Sequence, residues 1–268
     1  MNEIELLFTE MLNCDRLSLY LNSGLKLDKE KSYLISGALK KRIAGEPIQY
    51  ILGKTEFMGL ELKLNQDVFI PRPETELLVE TTIKYVTRHP SPVTSLRILD
   101  IGTGSGCIAV SLAKLLPGAK LTATDISQEA LEVARYNAVL NKVAEKIRFI
   151  ESNLFARYTV RRTRYDMILS NPPYISTSEI EKLQIEVQYE PRIALDGGAD
   201  GLGFYRRIIK DAHHYLKHGG YLIMEIGYNQ RAGIEDIFQK EKNFRVIEAI
   251  KDYNNIDRVI VAQKHYMG

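Results

Sequence analysis

Arg97-Ile98-Leu99-Asp100-Ile101-Gly102-Thr103-Gly104-Ser105-Gly106-Cys107-Ile108-Ala109-Val110 reads as an apolar strand, a glycine loop and the opening of a helix. Such a strand–loop–helix turn begins a nucleotide-binding α/β sheet, because loop amides and a helix N-terminus then face out from the strand's carboxyl end. A dinucleotide fingerprint counted from Gly102 would set its third glycine at position 107, where this chain has Cys107. Gly106 carries it instead, and no Gly-Lys-Ser/Thr follows to make a phosphate loop. Asp100, Gly102, Thr103, Gly104, Ser105 and Gly106 are therefore candidate cofactor residues of a D-x-G-x-G-x-G turn. A carboxylate at the strand tip suits an ammonium group, and the loop amides suit a carboxylate. S-adenosyl-L-methionine carries both and has no phosphate.

Outward from that turn, Asp125 closes the next apolar run, with Ile126 beside it. At that place an acidic side chain accepts from both ribose hydroxyls. The competing reading is a helix N-cap, which Asp125 or Ser127 would serve equally. From Leu96 the chain alternates strand and helix, with strands expected near 97–101, 120–124, 147–151, 165–170, 220–226, 244–250 and 257–263. Helices are expected near 105–116, 128–142, 201–217 and 229–241. The alternation argues an α/β fold with a parallel sheet covered on both faces, a seven-stranded Rossmann-like arrangement with ligands at the carboxyl ends of the strands.

After the fourth of these strands stands Asn171-Pro172-Pro173-Tyr174. Two prolines have no N–H and cannot continue a ladder, so the strand stops with outward carbonyls as acceptors. The Asn171 side-chain carbonyl and the Pro172 carbonyl together match the two donors of a planar NH2 group, with Tyr174 covering its flat face and Pro173 fixing the turn. The bland reading is a strand-to-loop turn. These four residues are the catalytic and substrate-binding candidates, and Asn171 also borders the cofactor.

Residues 1–90 read as an N-terminal helical substrate-recognition domain with a short hairpin linker, and 91–268 as the catalytic domain, joined at Pro90-Ser91-Pro92. Ile4, Leu7, Phe8 and Met11, then Tyr33, Leu34, Ala38 and Ile43, recur at helical spacing, and Asp28 is placed to cap. The alternation Leu60–Leu64 with Val68–Ile70 predicts a hairpin or short strands. Among 268 residues, 45% are hydrophobic and the net charge is +2. Residues 1–90 hold 12 Lys and Arg against 13 Asp and Glu, so the segment placed to recognise a substrate lacks the basic footprint of a nucleic-acid binder. The basic run Arg161-Arg162-Thr163-Arg164 reads as a solvated loop. No apolar stretch is long enough for a bilayer and the first residues are acidic, so a cytoplasmic protein without a membrane partner is the default expectation. Cys14 and Cys107 stand far apart, indicating neither a disulfide framework nor a zinc site.

The chain resembles the protein-glutamine N5-methyltransferases that modify the Gly-Gly-Gln motif of peptide chain release factors (the PrmC/HemK family). The likeness rests on Gly45–Gly53, Phe57–Leu60, Phe69–Glu76, Asp100–Gly106, Asn171–Ile175 and Glu190–Leu202. It implies a helical N-terminal domain that recognises the release factor, and a class I methyltransferase domain using S-adenosyl-L-methionine. Two stretches depart from it. Where the family often shows an acidic residue and then a bulky one near the adenine, this chain offers Asn153 and Leu154; Asn153 still suits the adenine amine, and the covering aromatic is open. Asp252–Arg258 replaces a glycine-containing turn. Glu190 and Arg192 are candidates either for the substrate channel or for a salt-bridged loop. Glutamine methylation of a ribosomal protein and N6-adenine methylation of nucleic acid are the alternative activities, since a flipped adenine also presents a planar NH2.

Overall fold

The computed structural model describes residues 2–21, 27–88, 96–156 and 163–265. The Pro90-Ser91-Pro92 join and Arg161-Arg162 lie outside them; Arg164 is exposed. Four helices come first: α1 (Glu3–Leu12), α2 (Arg16–Leu21), α3 (Lys29–Ile43) and α4 (Ile48–Leu52). Asn2 and Glu5 close a capping box on α1. Asp28 caps α3, accepting from the Lys31 N–H at 2.7 Å. Leu7, Ile35, Ala38 and Ile48 form the small core of this unit. The stripe expected from periodicity is therefore shifted. Tyr33, Leu34 and Ile43 face outward, because Ile35 and Ala38, one turn apart, are the α3 positions turned to α1.

Strands β1 (Lys54–Phe57) and β2 (Leu60–Lys63) make a hairpin through Met58 and Gly59, both at positive φ, the backbone that matches strand twist in a two-residue turn. The hairpin expected from Leu60–Leu64 with Val68–Ile70 is corrected accordingly. The Ile70 N–H donates to Glu190 Oε2 at 2.9 Å instead of to a ladder, and Pro71 forbids continuation. Helix α5 (Pro73–Thr87) begins with proline at its first position, where no N–H is needed. Leu78, Val79 and Val86 of α5 share one core with Phe57, Leu62, Ile98, Leu112 and Leu121. Packing is thus continuous from the hairpin to the sheet, whereas α1–α4 hold their own cluster.

The main sheet comprises β3 (Arg97–Ile101), β4 (Lys120–Asp125), β5 (Ile147–Glu151), β6 (Tyr165–Ser170), β7 (Leu216–Glu225), β8 (Phe244–Lys251) and β9 (Asp257–Lys264), in the order β5-β4-β3-β6-β7-β9-β8. The sheet is mixed, a correction to the parallel one expected: β9 runs antiparallel to both its neighbours. The five residues between β8 and β9 are too few for a crossover, so only a hairpin fits. In that turn Asn255 takes the left-handed backbone at φ 63°, and Asp252 accepts from the Asn254 and Ile256 N–H groups.

Helices α6 (Cys107–Leu115) and α7 (Gln128–Leu140) join α5 on one face of the sheet. After two short helices, α8 (Ile185–Gln188) and α9 (Arg192–Leu195), come α10 (Gly203–Ala212) and α11 (Arg231–Glu241), which cover the other face. Strand alternation divides the residues between the faces: Ile98 packs under α5 and α6, and Leu99 under α10 and α11. Helix α10 stops at Ala212, earlier than expected, because Leu216 already pairs with Tyr165 as the start of β7. Among the described residues no helix is long and apolar enough to cross a membrane.

Candidate active site

Ile101 and Ser170 are paired neighbours in the parallel ladder, so Gly102 and Asn171 emerge from adjacent strand ends. The strand order reverses here: β4 and β5 lie to one side of β3, β6 and β7 to the other. Connections leaving toward opposite faces open a crevice at such a switch point. A cavity of about 370 Å³ fills it. Its wall includes Gly102, Thr103, Gly104, Ser105, Asp125, Ile126, Asn153, Leu154, Asn171, Pro172, Pro173 and Tyr174. Two of the candidate residues stand behind the wall. Gly106, at positive φ, lies against α7, where an added Cβ would come within 3.0 Å of Ala134 Cβ. Asp100 is wholly buried beneath the loop.

Backbone bonds shape the glycine loop: the Gly102 and Thr103 N–H groups both donate to the Thr124 carbonyl, and Gly106 N–H to the Thr103 carbonyl. Thr103 Oγ1 donates to Asp100 Oδ2 at 2.6 Å, while among the described residues nothing donates to Asp100 Oδ1. Burial pushes the Asp100 carboxyl up to about 7, against the lowering effect of Thr103 and aided by the Asp125 charge. A buried acceptor without a donor suits a cationic group brought to the loop. The N-cap alternative resolves in favour of Ser127, whose hydroxyl accepts from the Ala130 N–H. Asp125, half-buried, accepts from Gly104 N–H at 2.8 Å and Ser127 N–H at 3.0 Å, and burial raises its pKa.

At the β6 tip, Ser170 Oγ donates to the Ile101 carbonyl, and Gln230 Nε2 to the Tyr174 carbonyl at 2.8 Å. Gly201 and Gly227 press on Tyr174: an added Cβ at the first would run into the Tyr174 carbonyl, and at the second would sit 2.9 Å from Cδ2. Asn171 Nδ2 donates to Thr75 Oγ1 at 3.2 Å, and Thr75 Oγ1 donates to Glu225 Oε2 at 2.7 Å.

Residues 74–187 match the Methyltransferase small domain family and residues 1–53 the PrmC N-terminal domain family. The release factor glutamine methyltransferase of Fusobacterium nucleatum subsp. nucleatum is 42% identical over 267 residues, a match spanning 98% of this chain and 73% of that protein. The chain belongs to the release factor glutamine methyltransferase family. The family's Geobacter sulfurreducens protein is 41% identical over 259 residues, with 96% of this chain and 87% of that protein aligned. A solved methyltransferase from Pyrococcus furiosus, 20% identical, shares the fold with a TM-score of 0.56, covering 86% of this chain and all of that one.

In this member of the release factor glutamine methyltransferase family, several cavity residues carry no individual signal in the sequence. Phe204 and Arg207 of α10 stand on the wall near Asn153, whose Oδ1 accepts from Arg207 Nη2 at 2.7 Å. Phe155, the aromatic nearest Asn153 in sequence, instead stacks on Tyr215 in the core. Asn137 braces the loop from behind, donating to the Ser105 and Lys63 carbonyls. Neither Glu190 nor Arg192 is on the wall. Glu190 is buried and holds Ile70 and Arg72, whereas exposed Arg192 pairs with Asp196. Glu225, an acidic residue ending an apolar strand, shows the same signal that singles out Asp100.

Proposed function

We propose that this chain transfers a methyl group from S-adenosyl-L-methionine to the side-chain amide nitrogen, N5, of the glutamine in the Gly-Gly-Gln motif of peptide chain release factors. The observation that carries the reading is the adjacency of two unlike strand tips in one cavity, the glycine loop after β3 and the Asn-Pro-Pro-Tyr turn after β6. When bound, S-adenosyl-L-methionine supplies an electrophilic methyl on a sulfonium. The glycine loop would receive its amino-acid end with the Asp100 carboxyl beneath it, Asp125 its ribose and Asn153 its adenine amine, with Ile126, Leu154 and Phe204 against the ring.

A glutamine nitrogen is a weak nucleophile because its lone pair is delocalised into the carbonyl. Asn171 Oδ1 and the Pro172 carbonyl accept from its two N–H groups, which aims the nitrogen and favours charge developing on it. Tyr174 covers the amide plane. No histidine lies among the lining residues, and the reading needs no dedicated base: the N–C bond forms as the S–C bond breaks, and the spare proton passes to water.

Residues 1–53 are the segment we assign to release-factor recognition. Tyr33 and Ile43 are left exposed there. The unit reaches the cavity rim through the Arg42–Glu186 ion pair and the Tyr189 hydroxyl donating to the Ala44 carbonyl. The test is transfer of labelled methyl to purified release factor, to its variant with alanine for the Gly-Gly-Gln glutamine, and to an adenine-rich oligonucleotide. Label on the unaltered factor alone is expected; label on the oligonucleotide alone overturns the reading.

A further inference from the structure

The Asn171 amide is nearly symmetric in shape, yet only one end of it is an acceptor. Something must hold that end toward the substrate. Thr75, in the first turn of α5, is 1% exposed where it borders the cavity, and Glu225, the last residue of β7, is 2% exposed, so both are almost wholly withdrawn from bulk water. An ionised carboxylate only accepts, so the single Thr75 proton is committed to Glu225 Oε2. The Thr75 oxygen then meets Asn171 with lone pairs alone and accepts only its NH2. Asn171 Oδ1 is left to face the cavity.

We propose that Thr75 and Glu225 are positioning residues, forming a one-way hydrogen-bond relay that sets which end of the Asn171 amide meets the substrate. Protonated Glu225 donates to Thr75 Oγ1, which frees the Thr75 proton for Asn171 Oδ1. The amide then turns, and its NH2 opposes the substrate NH2. The relay is thereby a proton-controlled switch on turnover.

The groups facing Glu225 are Thr75 and Glu74 of α5, Arg258 of β9, Asn171 and Tyr174 after β6, Cys107 of α6 and Tyr205 of α10, whose hydroxyl donates to the Glu225 carbonyl. Burial pushes the Glu225 carboxyl up to about 7, with Thr75 and then Arg258 favouring the charged form, Glu74 opposing it and Asn171 again favouring it. The switch therefore works near neutrality.

The inference rests on the reading that Asn171 accepts from the substrate amide. The experiment measures kcat against pH with S-adenosyl-L-methionine and release factor both saturating, so that Asp100, acting on cofactor binding, does not enter. Wild-type kcat falls on the acid side with a midpoint near 7, and Glu225→Gln, which cannot ionise, removes that midpoint. Thr75→Val severs the relay itself, so the midpoint near 7 is lost from its kcat profile, as it is in Glu225→Gln. Its kcat drops about fivefold even in alkaline buffer, the loss of one neutral hydrogen bond at ~1 kcal/mol, while affinity for S-adenosyl-L-methionine is kept, and the lost pH dependence is what a merely structural defect would not produce. Thr75→Ser restores the wild-type profile, and Thr75→Val adds nothing in an Asn171→Ala background.

An acid limb that survives unchanged in Glu225→Gln, or a Thr75→Val profile superimposed on wild type, overturns the relay. If Asn171→Ala is inactive while Thr75→Val is unaffected, only the relay fails. If Asn171→Ala is itself near normal, the reading beneath it fails.

Discussion

The tips of β3 and β6 are neighbours in one ladder and opposites in construction. The β3 tip is built of glycines and held by its own backbone, with Gly102 and Thr103 sharing the Thr124 carbonyl. It is the tip proposed to meet the amino-acid end of the cofactor. The β6 tip is built of prolines that have no amides to offer, and side chains from elsewhere hold it: Gln230 from the approach to α11, Thr75 from α5, Glu225 from β7. Its Asn171 and Pro172 carbonyls are the acceptors proposed for the glutamine NH2. On the proposed function the glycine tip takes the cofactor and the proline tip the glutamine, so one crevice holds two ligands on two unlike strand ends. Damage to the two tips should therefore separate into cofactor affinity and turnover.

The largest expected effect is at the proline tip. Asn171→Ala should lower kcat about a hundredfold, the loss typical of one charge-stabilising hydrogen bond at ~3 kcal/mol, while calorimetric affinity for S-adenosyl-L-methionine stays within a few fold. Near-normal turnover would remove Asn171 from the chemistry. At the glycine tip, Asp125→Ala should do the reverse, weakening cofactor affinity on the order of thirtyfold, or about 2 kcal/mol. An unchanged dissociation constant would take Asp125 out of the ribose site and blur the contrast between the tips.

A smaller effect, sharper in sign, concerns Asp100. Its pKa is raised on folding from 3.8 to about 7, so its contribution to stability is complete below 3.8 and is lost as pH rises through about 7. Asp100→Asn does not ionise. The ligand-free variant should melt above wild type in mildly alkaline buffer, the gap should close toward acid, and cofactor affinity should fall. A gap independent of pH would mean that the buried carboxylate is not the titrating group. The least effect is expected for Arg192→Ala, whose exposed pair with Asp196 is worth under about 1 kcal/mol; a marked loss of turnover would give it a role at the cavity rim.

The catalytic half was legible because its signals are local. An apolar run ending in Gly102 or Asn171 states both a strand and what its end does, and the observed strands begin and end close to the expected places. The N-terminal hairpin was not, because Lys54-Thr55-Glu56-Phe57 shows little alternation and Met58 occupies a positive φ that its residue type does not advertise. In α3 the spacing was visible and its phase was not, since Tyr33, Leu34 and Ile35 are all apolar and only the packing on α1 selects Ile35. Thr75 and Glu225 stand 150 residues apart, and only the fold brings them to Asn171.

Gly201 and Gly227 carry a consequence for redesign. Tyr174 is located by the bare thickness of two passing backbones, one at the carbonyl and one at the ring edge. A methyl group at either glycine is therefore a shim: it must displace the Tyr174 carbonyl or ring edge, and with it the turn proposed to engage the glutamine. Substrate fit can be retuned from positions that never meet the substrate.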